Sequence, residues 1–179
     1  MQVKTKMNFL NIHYLKQGNQ RQQSAYQTLV SHQIMEKLDA YNPILTGTIP
    51  INIDIESSDL DIICHWEDKG TFIETLTKLF TTEKNFHLHE CLIENQETIV
   101  CNFKIDTFEI EVFGQNIPSE HQNAYRHMLI EYQILQSEGG DFRLKIIELK
   151  KNGYKTEPAF AKLLDLEGNP YHALLAYQI

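Results

Sequence analysis

Two aspartates stand one residue apart in the run Ser58-Asp-Leu-Asp-Ile-Ile63. The run reads as a strand, and residues i and i+2 of a strand face the same way. Asp59 and Asp61 therefore project together, with nothing basic between them. Like charges this close are unfavourable unless something neutralises them. A divalent cation does so, and carboxylate oxygens beside substrate phosphates suit Mg²⁺. Ten residues separate the pair Gly47-Thr48 from Asp59. A glycine lets backbone N–H groups come close to a phosphate, and the Thr48 hydroxyl can bond a phosphate oxygen. Each feature alone has a plain explanation, a turn or a solvated strand end. Together, at this spacing, they outline a phosphate site with a metal.

A Gly-Ser or Gly-Thr pair, about ten residues and then Asp-x-Asp resembles the signature of the nucleotidyltransferase superfamily, the group with DNA polymerase beta-like folds. A closer resemblance, to an uncharacterised bacterial family within that superfamily, runs through Ser58-Asp-Leu-Asp-Ile-Ile63, Glu111-Val-Phe-Gly-Gln115, Ala124-Tyr-Arg-His-Met128 and Lys155-Thr-Glu-Pro-Ala-Phe160. The closer family brings no known substrate. The superfamily resemblance implies Mg²⁺ held by three carboxylates, two from Asp-x-Asp and one from a neighbouring strand. Thr107-Phe-Glu-Ile-Glu-Val-Phe113 is the best source of the third, because Glu109 and Glu111 share one face of it. Alternation cannot separate the two. Glu111 is preferred, being nearer the strand end where ligand sites gather, with Gly114 beyond it leaving space for a nucleotide. The expected metal and catalytic residues are thus Asp59, Asp61 and Glu111. Gly47, Thr48, Ser58, Lys155 and Arg126 are the expected substrate-binding set. Lys155 lies at a helix start, and Arg126, beside His127 on a helix, could neutralise pyrophosphate.

One departure from the superfamily pattern is visible. Many members carry an Arg on a short helix after Gly-Ser. Here no basic residue lies between Gly47 and Asp61, and Ile49, Ile51, Ile53 and Ile55 alternate in a way that predicts an extended segment. A second set, His87, His89 and Cys91, alternates on one strand face. Tetrahedral zinc sites use turn spacings instead, so ordinary core and surface positions explain it better.

The elements that must carry these residues follow from periodicity. A short helix is expected over 8–18 and a long one over 19–40, ended by Asn42-Pro43. Strands are expected at 44–48 and 59–64, a helix at 69–82, and strands at 86–93, 98–105 and 107–113. Ser119 and Gln122 form a capping-box pattern before a helix running to about residue 136. Helices over 142–151, from Thr156 and from Asn169-Pro170 complete the chain. The expected class is α+β: a nucleotidyltransferase-like mixed sheet flanked by helices over 1–118, then a helical unit over 119–179 packed on it.

Composition narrows the function. A chain of 179 residues, 42% apolar, can build one substantial core. A net charge of −8 argues against non-specific nucleic-acid binding. Three cysteines without paired spacing, and no run of about 18 apolar residues, predict a soluble cytoplasmic protein. The expected activity is Mg²⁺-dependent transfer of a nucleoside monophosphate from a nucleoside triphosphate such as ATP to a hydroxyl of a small-molecule acceptor. The alternative is a non-catalytic or antitoxin-type binding module, which the missing basic residue after Gly47 favours.

Overall fold

The computed structural model describes residues 7–178. Residues 1–6 and Ile179, inside the expected domain bounds, lie outside the described residues. Five strands form one mixed sheet: β1 (Ile44–Thr46), β2 (Leu60–His65), β3 (Lys84–Ile93), β4 (Gln96–Ile105) and β5 (Phe108–Gln115), in the order β1-β2-β5-β4-β3. Only the β2–β5 pair is parallel. The β3–β4 and β4–β5 hairpins turn on Glu94, Asn95 and Asp106, all with positive φ. Asn and Asp tolerate that conformation better than other residues with a Cβ, which is why they mark hairpin turns.

Strand alternation sorts the side chains onto two faces. Leu60, Ile62, Ile110, Val112, Cys101 and Phe103 enter one apolar cluster, under α1 (Gln20–Ser31), α2 (Ile34–Lys37) and α3 (Lys69–Phe80). Ile44 and Ile63 enter a second cluster on the opposite face. That cluster is completed by α4 (Asn123–Glu138), α5 (Gly140–Lys151), α6 (Thr156–Leu163) and α7 (Pro170–Leu175). The α+β class, the mixed sheet and the flanking helices match the sequence expectation.

Three local expectations are corrected. The helix expected over 19–40 breaks after Ser31, where Gln33 adopts a left-handed conformation (φ 52°). The turn keeps Leu29, Ile34 and Leu38 in one cluster, so burial overrides propensity. The isoleucines of 49–55 do not form a strand. Asn52 (φ 59°) turns the segment, and the Asn52 and Ile53 N–H groups donate to the Ile49 and Thr48 carbonyls. Ile49 drops into the first cluster, and Ile51 and Ile53 into the second. Their alternation reflects a loop wedged between two helical layers. Third, Ser119 and Gln122 form no capping box. The Ser119 hydroxyl donates to the Asn42 carbonyl at 2.7 Å, and α4 starts at Asn123 without a side-chain cap.

Gly114 also has another role than the one expected. A Cβ there would lie 2.2 Å from a Phe72 ring carbon and 2.9 Å from Trp66. The glycine makes room for core aromatics on the face away from Glu111, so it opens no space for a nucleotide.

Candidate active-site cleft

A cleft of about 670 Å³ opens between the β2–β5 face of the sheet and the helices that follow residue 119. Its size is ordinary for a ligand site. Parallel pairing sets Asp61 directly beside Glu111. Asp59, just before β2, lines the same cleft. Three carboxylates thus share one wall. Register separates the two glutamates that alternation left equivalent. Glu109 is exposed and pairs with Lys104 Nζ at 3.2 Å. Glu111 lines the cleft and accepts from Asn102 Nδ2 at 3.1 Å.

The wall is short of positive charge. The Asp61 carboxyl is held well above the usual carboxylate range, first by its enclosure in protein, then by Asp59 and Glu111; Lys150 opposes them. Among the described residues, no three His, Cys, Asp or Glu side chains stand as a ready-made metal cluster. The donor chemistry of Asp59, Asp61 and Glu111 nevertheless fits Mg²⁺: hard oxygen ligands with uncompensated negative charge.

The loop from Gly47 to Ser58 forms the adjoining edge. Gly47 has φ +80°, and a Cβ there would lie 2.0 Å from Asp61 Oδ2. The glycine therefore admits the Asp61 carboxylate. Gly47→Ala is expected to lower stability by about 1–3 kcal/mol through backbone strain and displacement of Asp61. Urea unfolding measures it, and a wild-type midpoint would show that the loop relaxes freely. The Thr48 hydroxyl donates to Ser58 Oγ (3.1 Å), which also accepts from the Ile55 N–H (3.0 Å). Both bonds leave the Ser58 hydroxyl proton uncommitted.

Basic residues absent from the loop reach it from elsewhere. Arg21 of α1 pairs with Asp54 (3.3 Å) and donates to the Ser58 carbonyl (2.7 Å). Arg143 of α5 donates to the Ile51 and Asn52 carbonyls. These two hold the loop backbone. Lys150 of α5 does something different: it is buried, 8% exposed, and lines the cleft. Burial lowers its pKa, against the pull of Glu131, Asp54, Asp61 and Glu157.

Glu131 of α4 is buried as well, and its carboxyl is pushed up to about 8, by burial first and by Glu157 second. The folded state therefore keeps a proton that the unfolded chain releases near pH 4.5. Stability contributed by this group falls as pH rises from that value to about 8, then levels. Glu131→Gln is expected to flatten that decline in thermal melts across the same range; an unchanged slope would assign the decline to another group. Sequence reasoning missed both residues. The signal was present: Lys150 follows Ile146 by one helical turn, and Glu131 lies between Met128 and Leu135 on the buried stripe of α4.

The remaining expected residues divide. Lys155 precedes α6 and lines the cleft, with no side-chain cap of its own. Arg126 does not line it. Its side chain is exposed and donates to Asn123 Oδ1 at 3.0 Å. His127 faces inward instead, buried, with Nε2 2.9 Å from the Tyr171 carbonyl and Nδ1 3.8 Å from Glu157. His87 and His89 stack their rings, 5.2 Å apart, on the sheet's edge strand.

The mixed sheet and its flanking helices form a nucleotidyltransferase-like fold. Solved structures agree on the fold. Cid1 poly(U) polymerase with Mg 3′-dATP bound superposes with TM-score 0.55 at 9% identity, over 91% of this chain and 52% of that one. A second Cid1 structure, described for RNA terminal uridylyl transferase activity, gives 0.53 at 9% identity, over 78% and 45%. The polymerase core of TRAMP, an RNA surveillance complex, gives 0.53 at 9%, over 88% and 49%. The chain thus spans about half the length of these proteins, and identity this low shows the fold alone. No curated protein matches the sequence. The chain belongs to the DUF4269 family, a domain of unknown function, which matches residues 27–177.

Proposed function

We propose that the cleft carries out Mg²⁺-dependent nucleotidyl transfer from a nucleoside triphosphate, such as ATP, to a hydroxyl of a small-molecule acceptor. The observation that carries this is the cross-strand pairing of Asp61 with Glu111, next to Asp59 and within reach of the Gly47 loop. Asp59, Asp61 and Glu111 would hold Mg²⁺, which supplies charge neutralisation at the phosphoryl centre. Ser58, held by the Thr48 hydroxyl, and Lys155 bind phosphate oxygens. Lys150 supplies from the opposite wall the cation that the loop lacks, which weighs against a purely non-catalytic module. In the transfer, the acceptor oxygen bonds to the α-phosphorus, the bond to the β-phosphate oxygen breaks and pyrophosphate leaves. One of the cleft carboxylates takes the hydroxyl proton.

Residues 1–118 act as the nucleotide-holding core in this reading, and residues 119–179 as the second wall. Among the described residues no helix is long and apolar enough to cross a membrane. Free Cys64, Cys91 and Cys101 fit a reducing, cytoplasmic setting.

Paired glutamate variants test the proposal. Glu111→Gln is expected to reduce Mg²⁺-dependent ATP binding and pyrophosphate release about a hundredfold or more. Glu109→Gln, which removes only a surface pair with Lys104, should leave both near wild type. The opposite pattern would move the metal site one strand repeat along β5.

A further inference from the structure

Two cross-strand pairs of β4 and β5 stand side by side on the cleft face of the sheet. Asn102 lies opposite Glu111, and Lys104 lies opposite Glu109. Residues two apart in a strand face the same way, so all four side chains share that face. The pair nearer the hairpin is ionic, with Lys104 Nζ 3.2 Å from Glu109 Oε1. In the other the donor is neutral: Asn102 Nδ2 donates to Glu111 Oε2 at 3.1 Å. The partner fixes which end of the amide is nitrogen, since a carboxylate only accepts.

The two arrangements leave their glutamates in different states. Lys104 neutralises Glu109. Asn102 holds Glu111 without adding a positive charge to it. Among the described residues Glu111 has no ion pair, and no group donates to its Oε1. Asn102 makes no other side-chain hydrogen bond among them, although His87 of β3 stands across from it. One oxygen of the Glu111 carboxylate is thus fixed and the other is uncommitted, with Asp61 on the neighbouring strand. Quieting an acid on this face takes only a lysine, as one pair away. A neutral donor is what a carboxylate needs if it is to be oriented and still present its full charge to a cation. Orienting it in advance also removes part of the ordering cost of binding.

We infer that Asn102 is a positioning residue for Glu111, holding that carboxylate for Mg²⁺ without neutralising it. The inference rests on nucleotidyl transfer as the function of the cleft and adds a residue that acts on the metal only through Glu111. Hydrogen-bond partners behind a metal ligand change metal affinity about 10–100-fold when they are removed. The neutrality of the donor matters as much as its presence. A charged donor in its place would compete with the metal for Glu111.

Two substitutions separate presence from charge. Asn102→Leu keeps the size and suits a strand but donates nothing; Asn102→Lys copies the neighbouring pair. Each is compared with the wild-type chain by calorimetric titration of ATP at varied Mg²⁺ and by thermal melts without metal. Asn102→Leu is expected to raise the Mg²⁺ concentration for half-maximal ATP binding about tenfold or more, with a metal-free melting temperature near wild type. Asn102→Lys should weaken Mg²⁺ at least as much and raise the metal-free melting temperature slightly, because Glu111 then has a counter-ion. Lys104→Leu, one pair away, should leave the Mg²⁺ dependence unchanged. If circular dichroism shows that Asn102→Leu does not fold, Asn102→Ala takes its place. A folded Asn102→Leu with wild-type Mg²⁺ dependence overturns the assignment and leaves nucleotidyl transfer standing. So does a loss that Lys104→Leu shares, since the effect then belongs to the strand and not to the bond. A wild-type chain whose ATP binding ignores Mg²⁺ overturns nucleotidyl transfer, and the role of Asn102 with it.

Discussion

Asp61→Asn is expected to abolish Mg²⁺-dependent turnover and, without metal, to raise the melting temperature. The two effects have one origin. Asp61 is enclosed by protein, and the like charges of Asp59 and Glu111 act on it with only Lys150 opposing. Its carboxyl is therefore held above the ordinary value of 3.8, and the folded state keeps a proton that the unfolded chain gives up. Stability from this group falls as pH rises above that value. Asparagine has the same shape and no charge to strain against. The gain should appear near neutral pH and vanish in acid, where the carboxyl is protonated in both states. Turnover should fall by about a thousandfold or more, because the residue at the centre of the carboxylate wall no longer carries charge. Activity retained at neutral pH would remove Asp61 from the site. A lower melting temperature would mean that its charge is already compensated by the protein.

Lys150→Met should have the opposite sign and the largest effect on stability. Methionine keeps the aliphatic stem but removes the cation that faces Glu131, Asp54, Asp61 and Glu157. Breaking a buried ionic arrangement from one side costs about 3–5 kcal/mol, since the remaining charges lose their partner. The loss should shrink on acidification, as those carboxylates around Lys150 that are still ionised take up protons. Urea unfolding at neutral and mildly acidic pH measures both points. Nucleotide affinity should fall too, the cleft then having only Lys155 as a lysine on its wall. Wild-type stability at neutral pH would show that Lys150 is not the counter-charge of the acids.

Much of the acidic wall was legible because it depends on local rules. Period-two alternation identified the strands holding Asp61 and Glu111 and the face each occupies. The strand-end position favoured Glu111 over Glu109; that Glu111 stands beside Asp61 is set by the β2–β5 register, which no single strand contains. The cationic wall was legible in part, for a similar reason. Lys155 stood out at a helix start and Lys150 falls one turn past the buried Ile146, but which acids Lys150 faces depends on how α5 packs over the sheet. Arg126 and His127 show the limit within one helix. Adjacent residues are about 100° apart around the axis, and here His127 takes the inward side while Arg126 is left exposed. The isoleucines of 49–55 misled because a loop buried between two layers can show the same alternation as a strand.

The most direct test is calorimetric titration of ATP into the wild-type chain with and without Mg²⁺, with pyrophosphate release followed in the same samples. Saturable binding that requires Mg²⁺ and disappears in Asp59→Asn and Asp61→Asn is the predicted result. Binding that is indifferent to Mg²⁺ and to both substitutions would contradict it.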